Sequence, residues 1–384
     1  MNFQPESFPL LYKTLISESR PIFLYGTGDG ADKILDTLAR FGVPVEGVFV
    51  SEEFYRGQTF RGYRVTTLSA LEAQYPADGF VVLVAFGSHL PEMIERVKSI
   101  AARHPLLIPD MPVAGHDLFD EAYFQTHRNE IEKAYALWAD DASRRVFTDI
   151  LEYKLTGSPE PLFRCVSPKE EVFAKLLPLG VHEDYLDVGA YNGDTVREFL
   201  DHTGGAFHSI TAMEPEKRSY RKLCETASAL GLIDRVDELG GLTGDTVAAL
   251  PDHARPVRLL NAAASDQTRT VSMVQGRGRG SALGSGIAHT GKMIETRFQK
   301  VDELELPLTY VKMDVEGMEA EALCGMKETL LRCRPKMNIA LYHRSEDLFA
   351  LPLLLDEWLG DYLFYLRRHD CFPCWEVNLY AVPK

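Results

Sequence analysis

Short apolar runs and apolar residues at helical spacing alternate through the first third of the chain. The runs at 21–25, 45–50 and 80–86 predict buried strands, and the spacing of apolar residues at 33–41 predicts a helix. Strands that alternate with helices indicate a parallel sheet. We therefore predict a small Rossmann-like α/β domain over residues 1–112.

The next segment, residues 113–180, is predicted to be a helical connector. Apolar residues recur at helical spacing at 130–138 and 142–155, and Asp141 is the expected N-cap of the second helix. Glycine and proline at 157–161 should end that helix. The segment either covers a substrate pocket or mediates self-association, and the sequence leaves both open.

The remaining residues, 181–384, repeat the strand–helix alternation on a larger scale. A first strand ends near Asp187, and later apolar runs lie at 209–213, 257–264, 308–313 and 337–342. Such a chain folds as a doubly wound sheet, which binds ligands at the carboxyl ends of its strands. The predicted fold class is therefore α/β, with this large sheet preceded by the smaller domain and the connector.

The first strand of this large part leads into a glycine turn. Asp187 is followed by Gly189 and Gly193, and an apolar-periodic helix begins beyond Thr195. A dinucleotide site uses the spacing G-x-G-x-x-G to reach a pyrophosphate, whereas Tyr191 stands here in place of the middle glycine. An acid two residues before the first glycine suits a cationic, amino-bearing ligand such as S-adenosylmethionine.

A second acid follows the next strand. Glu214 comes directly after the run 209–213 and is placed to accept hydrogen bonds from two ribose hydroxyls. Farther on, Ser265 and Asp266 either contact the adenine edge or form a simple turn. The predicted cofactor-binding residues are Asp187, Gly189, Ala190, Tyr191, Asn192, Gly193, Thr195, Glu214, Ser265 and Asp266.

With these motifs the chain resembles the FkbM-type methyltransferases over roughly residues 115–384. The resemblance is carried by residues 187–195, 212–215, 311–319, 335–343 and 362–369. It implies a class I fold and S-adenosylmethionine-dependent O-methyl transfer to a hydroxyl of a sugar, glycan or secondary metabolite. The identity of the acceptor does not carry over from the family.

Polar side chains also follow the fourth and fifth strands of this part. Asp314, Glu316 and Glu319 follow the fourth strand, and His343 follows the fifth. We predict that a neutral His343 is the base that removes the acceptor's proton, with Asp314 and Glu316 orienting it or binding other acceptor hydroxyls. Alternatively the carboxylates hold a divalent cation, and oxygen ligands favour magnesium. The sequence favours no metal, because too few ligands are evident.

Three basic residues are predicted to contact the acceptor. Lys312 lies within the fourth strand, while Arg277 and Arg279 lie in a glycine-rich loop at 276–286 that we expect to be mobile without acceptor. Arginine suits a phosphate or carboxylate on the acceptor. A solvated loop without a ligand explains these arginines equally well.

The first domain has a glycine turn of its own, at Gly26, Gly28 and Ala31. It is either a nucleotide or nucleotide-sugar site, with a helix N-terminus facing phosphate, or a turn kept only for structure. The second interpretation is slightly favoured, because Glu52 falls one place late for a ribose contact. The turn leaves two alternative functions open: an NAD(P)-dependent oxidoreductase and a non-catalytic nucleotide- or sugar-binding protein.

Composition narrows the expected partners. The 384 residues carry a net charge of −15, so we expect neither nucleic acid nor an anionic membrane surface as partner. No apolar run is long enough to span a bilayer, and the start lacks the pattern of a signal peptide.

Six scattered cysteines, among them Cys371 and Cys374, are expected to be reduced thiols, which favours the cytoplasm. The expected partner is a small-molecule or glycan acceptor, and homo-oligomerisation is left open.

Overall fold

The computed structural model describes residue 1 and residues 3–233, 246–249, 256–274 and 293–384. Two sheets dominate it: one within residues 22–107 and a larger one within residues 184–383. Helices flank both, which confirms the predicted α/β fold class. None of the helices in these described ranges combines the length and apolar character that crossing a bilayer requires.

The first sheet consists of five parallel strands. The elements of this part are α1 (Leu11–Ser17), β1 (Ile22–Tyr25), α2 (Asp29–Arg40), β2 (Gly47–Val50), β3 (Thr59–Phe60), β4 (Tyr63–Arg64), β5 (Thr66–Thr67), α3 (Leu68–Gln74), β6 (Val81–Val84), α4 (Pro91–Ala101) and β7 (Leu106–Leu107). The strand order is β5–β2–β1–β6–β7, and β3 and β4 form a separate hairpin. Strands β1, β2 and β6 are buried throughout, as expected for apolar runs covered on both faces. This arrangement agrees with the predicted Rossmann-like fold.

The connector is helical, as predicted. Its helices are α5 (Glu121–Thr126), α6 (Arg128–Leu137), α7 (Asp141–Thr156), α8 (Pro159–Arg164) and α9 (Lys169–Lys175). The N-cap of α7 is Asp140 and not Asp141 as predicted, because Asp140 Oδ1 accepts a hydrogen bond from Ser143 N–H at 2.7 Å. Ser143 Oγ in turn accepts from Leu366 N–H at 2.9 Å, so this helix is fixed to the second sheet.

The second sheet is larger and of mixed direction. The elements of this part are β8 (Asp184–Val188), α10 (Asp194–Thr203), β9 (Ser209–Met213), α11 (Lys217–Ala229), β10 (Thr246–Ala249), β11 (Pro256–Leu260), β12 (Ala263–Ala264), β13 (Arg269–Val274), β14 (Met293–Gln299), β15 (Tyr310–Met313), α12 (Glu319–Cys324), α13 (Lys327–Cys333), β16 (Lys336–Ala340), α14 (Asp347–Trp358), β17 (Tyr362–Arg368) and β18 (Val377–Pro383). The order is β10–β11–β9–β8–β15–β16–β18–β17, with β10 and β18 antiparallel to their neighbours. Strand order reverses between β8 and β15, which opens a crevice at their carboxyl ends.

The predicted strand at 257–264 is wrong in its second half. Strand β11 ends at Leu260, and Ala263 and Ala264 pair with β14 in a separate three-stranded sheet of order β12–β14–β13. The break falls at Asn261, whose Nδ2 donates to the carbonyl oxygens of Glu214 and Pro215. The apolar run alone therefore predicts one strand. In the structure, the hydrogen bonds of the Asn261 side chain divide that run between two strands.

One apolar core links the two sheets. It runs continuously from Phe80 in the first part, through Trp138 in the connector, to Leu186 and Phe372 in the second part. The backbones of Ser88 and Phe372 also exchange hydrogen bonds of 2.7 and 3.0 Å. The boundaries at residues 112 and 180 stay predictions, since packing is continuous across both positions.

Candidate active site

A tight turn joins β8 to α10 and holds three strands together. Gly189 has a φ of 88°, and a Cβ added there would lie 1.8 Å from the carbonyl oxygen of Asp314. The N–H groups of Gly189 and Ala190 both donate to the Met213 carbonyl, at 2.9 and 3.0 Å. Gly193, with a φ of 85°, is the N-cap of α10. The turn therefore requires glycine at 189.

Asp187 lies at the base of this turn and is fully buried. Thr195 Oγ1 donates to its Oδ2 at 2.5 Å, while Oδ1 makes no hydrogen bond within the described residues. Burial raises the pKa of Asp187 to about 6, although Lys312 partly opposes this. Because a buried polar atom without a partner is costly, Oδ1 is suited to accept a hydrogen bond from a ligand.

Glu214 lies directly beyond β9, as predicted, and is nearly buried. Its Oε2 accepts from Tyr191 N–H at 3.0 Å, and its Oε1 accepts from Glu216 N–H at 2.7 Å. Burial raises the pKa of Glu214 to about 7 in spite of these donors. Asn261 supports the main chain at this point and was missed from the sequence. The available signal was an amide side chain directly after an apolar strand.

The other predicted cofactor-binding residues fall in two places. Asn192 belongs to the turn, where its Oδ1 accepts from Asp194 N–H at 3.2 Å. Ser265 and Asp266 directly follow β12 of the small sheet instead, and Ser265 N–H donates to the Gln299 carbonyl at 3.1 Å. The structure thus brings the turn residues and Glu214 together and places Ser265 and Asp266 after a strand of another sheet. Their contact with adenine stays a prediction.

Polar side chains at the ends of β15 and β16 converge on His343, which is fully buried. Its Nδ1 lies 2.8 Å from Glu319 Oε1. Its Nε2 lies 3.2 Å from Asp314 Oδ1 and 3.8 Å from Glu316 Oε2. The structure therefore groups Asp314, Glu316 and His343 as the sequence led us to expect, and adds Glu319 to the group.

This environment argues against His343 as a neutral base. Burial lowers the pKa of the imidazole, but Glu319 and Asp314 outweigh burial and raise the pKa well above its usual 6.5. A protonated imidazole has no lone pair with which to accept a proton, and this ring does not reach solvent. The ring is enclosed between carboxylates, and the predicted role of His343 as the base stays a prediction.

Asp314 also contacts residues on either side of it. Lys312 Nζ lies 3.4 Å from its Oδ2, and the Tyr342 hydroxyl donates to the same carboxylate at 3.2 and 3.3 Å. Burial alone would raise the pKa of Asp314, but Lys312 and His343 hold it well below the usual range. Lys312 is also paired in register with Asp187 on β8. Its predicted contact with the acceptor stays a prediction.

The predicted acceptor clamp, Arg277 and Arg279, lies outside the described residues, as does the whole loop at 276–286. The flanking strands β13 and β14 pair antiparallel, from Arg269 with Phe298 to Val274 with Met293. Val274 and Met293 therefore lie side by side at the same end of this strand pair. The role of the two arginines stays a prediction.

The glycine turn of the first domain is poorly suited to a phosphate. Asp29 and Asp32 occupy the first turn of α2, where their negative charge would repel an anion at the helix N-terminus. A Cβ added at Gly30 would lie 2.6 Å from the Ala85 carbonyl oxygen, so close packing explains the glycine there. These contacts explain Gly30, whereas a Cβ added at Gly28 would meet nothing within 4 Å, so the role of the turn stays a prediction.

The large sheet, its glycine turn and the acid beyond β9 have the arrangement of the class I methyltransferase fold. Residues 187–369 match the family model described as the methyltransferase FkbM domain. We therefore identify this part of the chain as an FkbM methyltransferase domain.

A solved structure agrees with this fold. Methyltransferase FkbM from Methylobacillus flagellatus KT superposes with a TM-score of 0.70 at 18% identity, over 97% of this chain and 94% of that chain. A SAM-dependent methyltransferase from Aquifex aeolicus matches with a TM-score of 0.28 at 12% identity, over 58% of this chain and 97% of that chain. That second similarity is too weak to support an argument. A search of curated proteins finds no match.

Proposed function

We propose that this protein transfers a methyl group from S-adenosylmethionine to a hydroxyl of a sugar, glycan or secondary metabolite. The observation that supports it is the pair of buried acids, Asp187 and Glu214, at the ends of neighbouring strands beside a turn that requires glycine. Burial is unfavourable for a carboxylate, and at Asp187 Lys312 offsets it only in part. A ligand that carries both hydroxyl and amino donors would offset that cost.

The residues present fit this cofactor. Asp187 offers Oδ1, a buried acceptor without a partner, to an ammonium or hydroxyl group. Glu214 is held in place by two backbone N–H groups and keeps further lone pairs for ribose hydroxyls. Gly189 leaves no side chain between the turn and the crevice. These residues account for the binding half of the proposed reaction.

When bound, S-adenosylmethionine supplies a methyl group whose bonding electron pair remains on sulfur, while the acceptor oxygen forms the new bond and loses its proton. The chain must hold that oxygen in line and exclude water. Asp314, Tyr342 and Lys312 present an acceptor, a hydroxyl and a cation at the adjoining strand ends. This mixture suits an acceptor with several hydroxyl groups.

The first experiment measures cofactor binding. We expect S-adenosylhomocysteine to bind the protein in calorimetry, and Glu214→Ala to weaken that binding by about 1–3 kcal/mol because two ribose hydroxyls lose their acceptor. Glu225→Ala, at an exposed position of α11, is the matched control and should bind as the wild type does. Equal affinity in all three proteins would contradict the assignment.

Turnover is tested separately, with isotopically labelled S-adenosylmethionine and a panel of nucleotide sugars and free glycans. Label in an acid-stable, ether-linked methyl group of one acceptor class supports the proposal. Cofactor binding without transfer to any hydroxyl compound would favour a non-catalytic binding protein. A copurified ligand with nicotinamide absorbance would favour the oxidoreductase.

A further inference from the structure

The side chains around His343 are arranged as ligands around a shared point and not as a simple ion pair. Nε2 is buried and makes no hydrogen bond within the described residues, although Asp314 Oδ1 is only 3.2 Å away. An oxygen at that distance without hydrogen-bond alignment lies away from the axis of the N–H bond. A third atom on the axis of the Nε2 N–H bond, next to both Nε2 and Asp314 Oδ1, would explain why the two atoms are close but not aligned for a hydrogen bond.

The distances suit a metal ion at that point. A divalent ion binds imidazole nitrogen and carboxylate oxygen at about 2.1 Å, which places neighbouring ligand atoms roughly 3.0–3.4 Å apart for octahedral to tetrahedral angles. The Nε2 to Asp314 Oδ1 distance of 3.2 Å falls in that range, and Glu316 Oε2, at 3.8 Å from Nε2, is slightly farther. Asp314, Glu319 and His343, without Glu316, form the group whose ligand atoms all lie within 4.8 Å of one another, so Glu316 is included on its distance to Nε2 alone.

The other ring nitrogen has the partner that a metal-binding histidine requires. Nδ1 lies 2.8 Å from Glu319 Oε1, and that same oxygen accepts from Val315 N–H at 2.9 Å. A carboxylate at Nδ1 fixes the tautomer that leaves the Nε2 lone pair for a metal. Glu319 thus acts through His343 as a positioning residue.

Lys312 does not occupy the point shared by His343 Nε2 and Asp314 Oδ1. It lies 3.4 Å from Asp314 Oδ2, the other oxygen of that carboxylate, while Oδ1 lies 3.2 Å from His343 Nε2 and accepts from the Tyr342 hydroxyl at 3.3 Å. Three carboxylates, Asp314, Glu316 and Glu319, therefore surround one imidazole. Two positive charges at the shared point would balance this excess of negative charge.

We propose that His343 Nε2, Asp314 and Glu316 bind one divalent transition-metal cation, with Glu319 orienting the imidazole. A nitrogen ligand beside carboxylates favours Mn²⁺ or Zn²⁺ over magnesium. Its catalytic role rests on the proposed function: a cation there would lower the pKa of an acceptor hydroxyl, so no side chain need act as a strong base. Metal binding itself does not depend on that function.

The test measures metal binding to the full chain after treatment with a chelator. Mn²⁺ binding is followed by electron paramagnetic resonance and Zn²⁺ binding by calorimetry, with Mg²⁺ for comparison. We expect close to one Mn²⁺ or Zn²⁺ per chain, with at least tenfold weaker binding of Mg²⁺. His343→Asn and Glu316→Gln should weaken Mn²⁺ binding at least a hundredfold, and Glu319→Gln about 10–100-fold.

Glu321→Gln is the matched control, because Glu321 is exposed on the same helix as Glu319; it should bind Mn²⁺ as the wild type does. Glu316 is 45% exposed, so Glu316→Gln tests the site even where His343→Asn does not fold. Wild-type protein that binds neither ion below millimolar concentration would overturn the proposal, as would unchanged binding in Glu316→Gln. S-adenosylhomocysteine affinity, measured on the same samples, separates this result from a failure of the proposed function.

Discussion

At the scale of single residues, the candidate site concentrates buried carboxyl groups. Asp187 and Glu214 are both nearly inaccessible, and burial raises their pKa values to about 6 and about 7. Each group therefore keeps its proton to a higher pH in the folded chain than in the unfolded chain. Such groups lower the stability of the ligand-free protein near neutral pH and gain favourable partners when a ligand binds.

A neutral replacement of Asp187 tests this trade between stability and binding. The pKa of Asp187 in the folded chain exceeds the ordinary value of about 3.9. Protonation of Asp187 therefore stabilises the folded chain fully below a pH of about 3.9, and this contribution is lost as pH rises through about 6. We expect Asp187→Asn to raise the free energy of unfolding of the ligand-free protein by about 1–3 kcal/mol at pH 8 and by almost nothing at pH 3.5. Urea unfolding at the two pH values measures the difference.

The control for that prediction is Asp201→Asn, an exposed position on α10, which should change stability little at either pH. Asp187→Asn should at the same time weaken binding of S-adenosylhomocysteine. A variant as stable as the wild type at pH 8 would show that burial of this carboxyl group is fully compensated by its neighbours.

At the scale of elements, strands with clear polar boundaries were predictable and side-chain interruptions were not. Strand β9 is found at Ser209–Met213, as predicted, because a proline and a charged residue close the apolar run. The run at 257–264 shows no such boundary, and only the folded position of Asn261 divides it. Likewise, two adjacent acids lie at the start of α7, and geometry alone selects Asp140 as its cap.

In the candidate active site, too, the sequence pattern predicts which strand ends meet but not the side-chain contacts between them. The rule that parallel strands end at one edge is enough to group Glu214, Asp314 and His343. It does not indicate how deeply His343 is buried or that a carboxylate faces each ring nitrogen. Because those two facts determine the protonation of the ring, the predicted base could not be tested from the sequence.

The turn after β8 provides the sharpest test at this scale. Gly189→Ala would place a Cβ 1.8 Å from a backbone oxygen at a φ of 88°, so β8 and β15 would have to separate. We expect a loss of at least about 3 kcal/mol in the free energy of unfolding, together with loss of cofactor binding. Urea unfolding and calorimetry provide the two measurements.

Gly204→Ala is the matched control for the turn. Gly204 also has a positive φ, 62°, at the other end of α10, but an added Cβ there meets nothing within 4 Å. Its cost should be only that of the backbone conformation, about 1 kcal/mol. Similar losses in the two variants would mean that conformation and not contact with Asp314 makes glycine necessary at 189.

At the scale of the whole molecule, the first domain and the connector support the methyltransferase domain directly. Ala114 N–H donates to the His343 carbonyl at 2.9 Å, and Ser345 Oγ donates to the Asp117 carbonyl at 2.6 Å. A Cβ added at Gly317 would lie 2.3 Å from Ala114 Cβ. Residues just beyond the first sheet therefore pack against the loop that carries the candidate metal ligands.

A buried ion pair joins the first part of the chain to the connector. It allows the energetic coupling between the first sheet and the second sheet to be measured. Lys154 on α7 lies 2.6 Å from Asp110, which follows β7, and the two side chains are only 5% and 8% exposed. Lys154→Met would leave the Asp110 charge without its partner, so we expect a loss of about 3–5 kcal/mol in the free energy of unfolding. The double variant Asp110→Leu with Lys154→Met should recover most of that loss, because apolar pairs replace buried ion pairs well.

Hydrogen exchange of the single variant locates the effect. Because the apolar core is continuous from Phe80 to Leu186, the amides of β1 and β8 should lose protection together, although Lys154 belongs to neither strand. Lys133→Met, on the neighbouring helix α6, is the control and should leave both strands as protected as in the wild type. Loss of protection confined to β1 would show that the two sheets unfold independently, and the first domain would then be a separate unit.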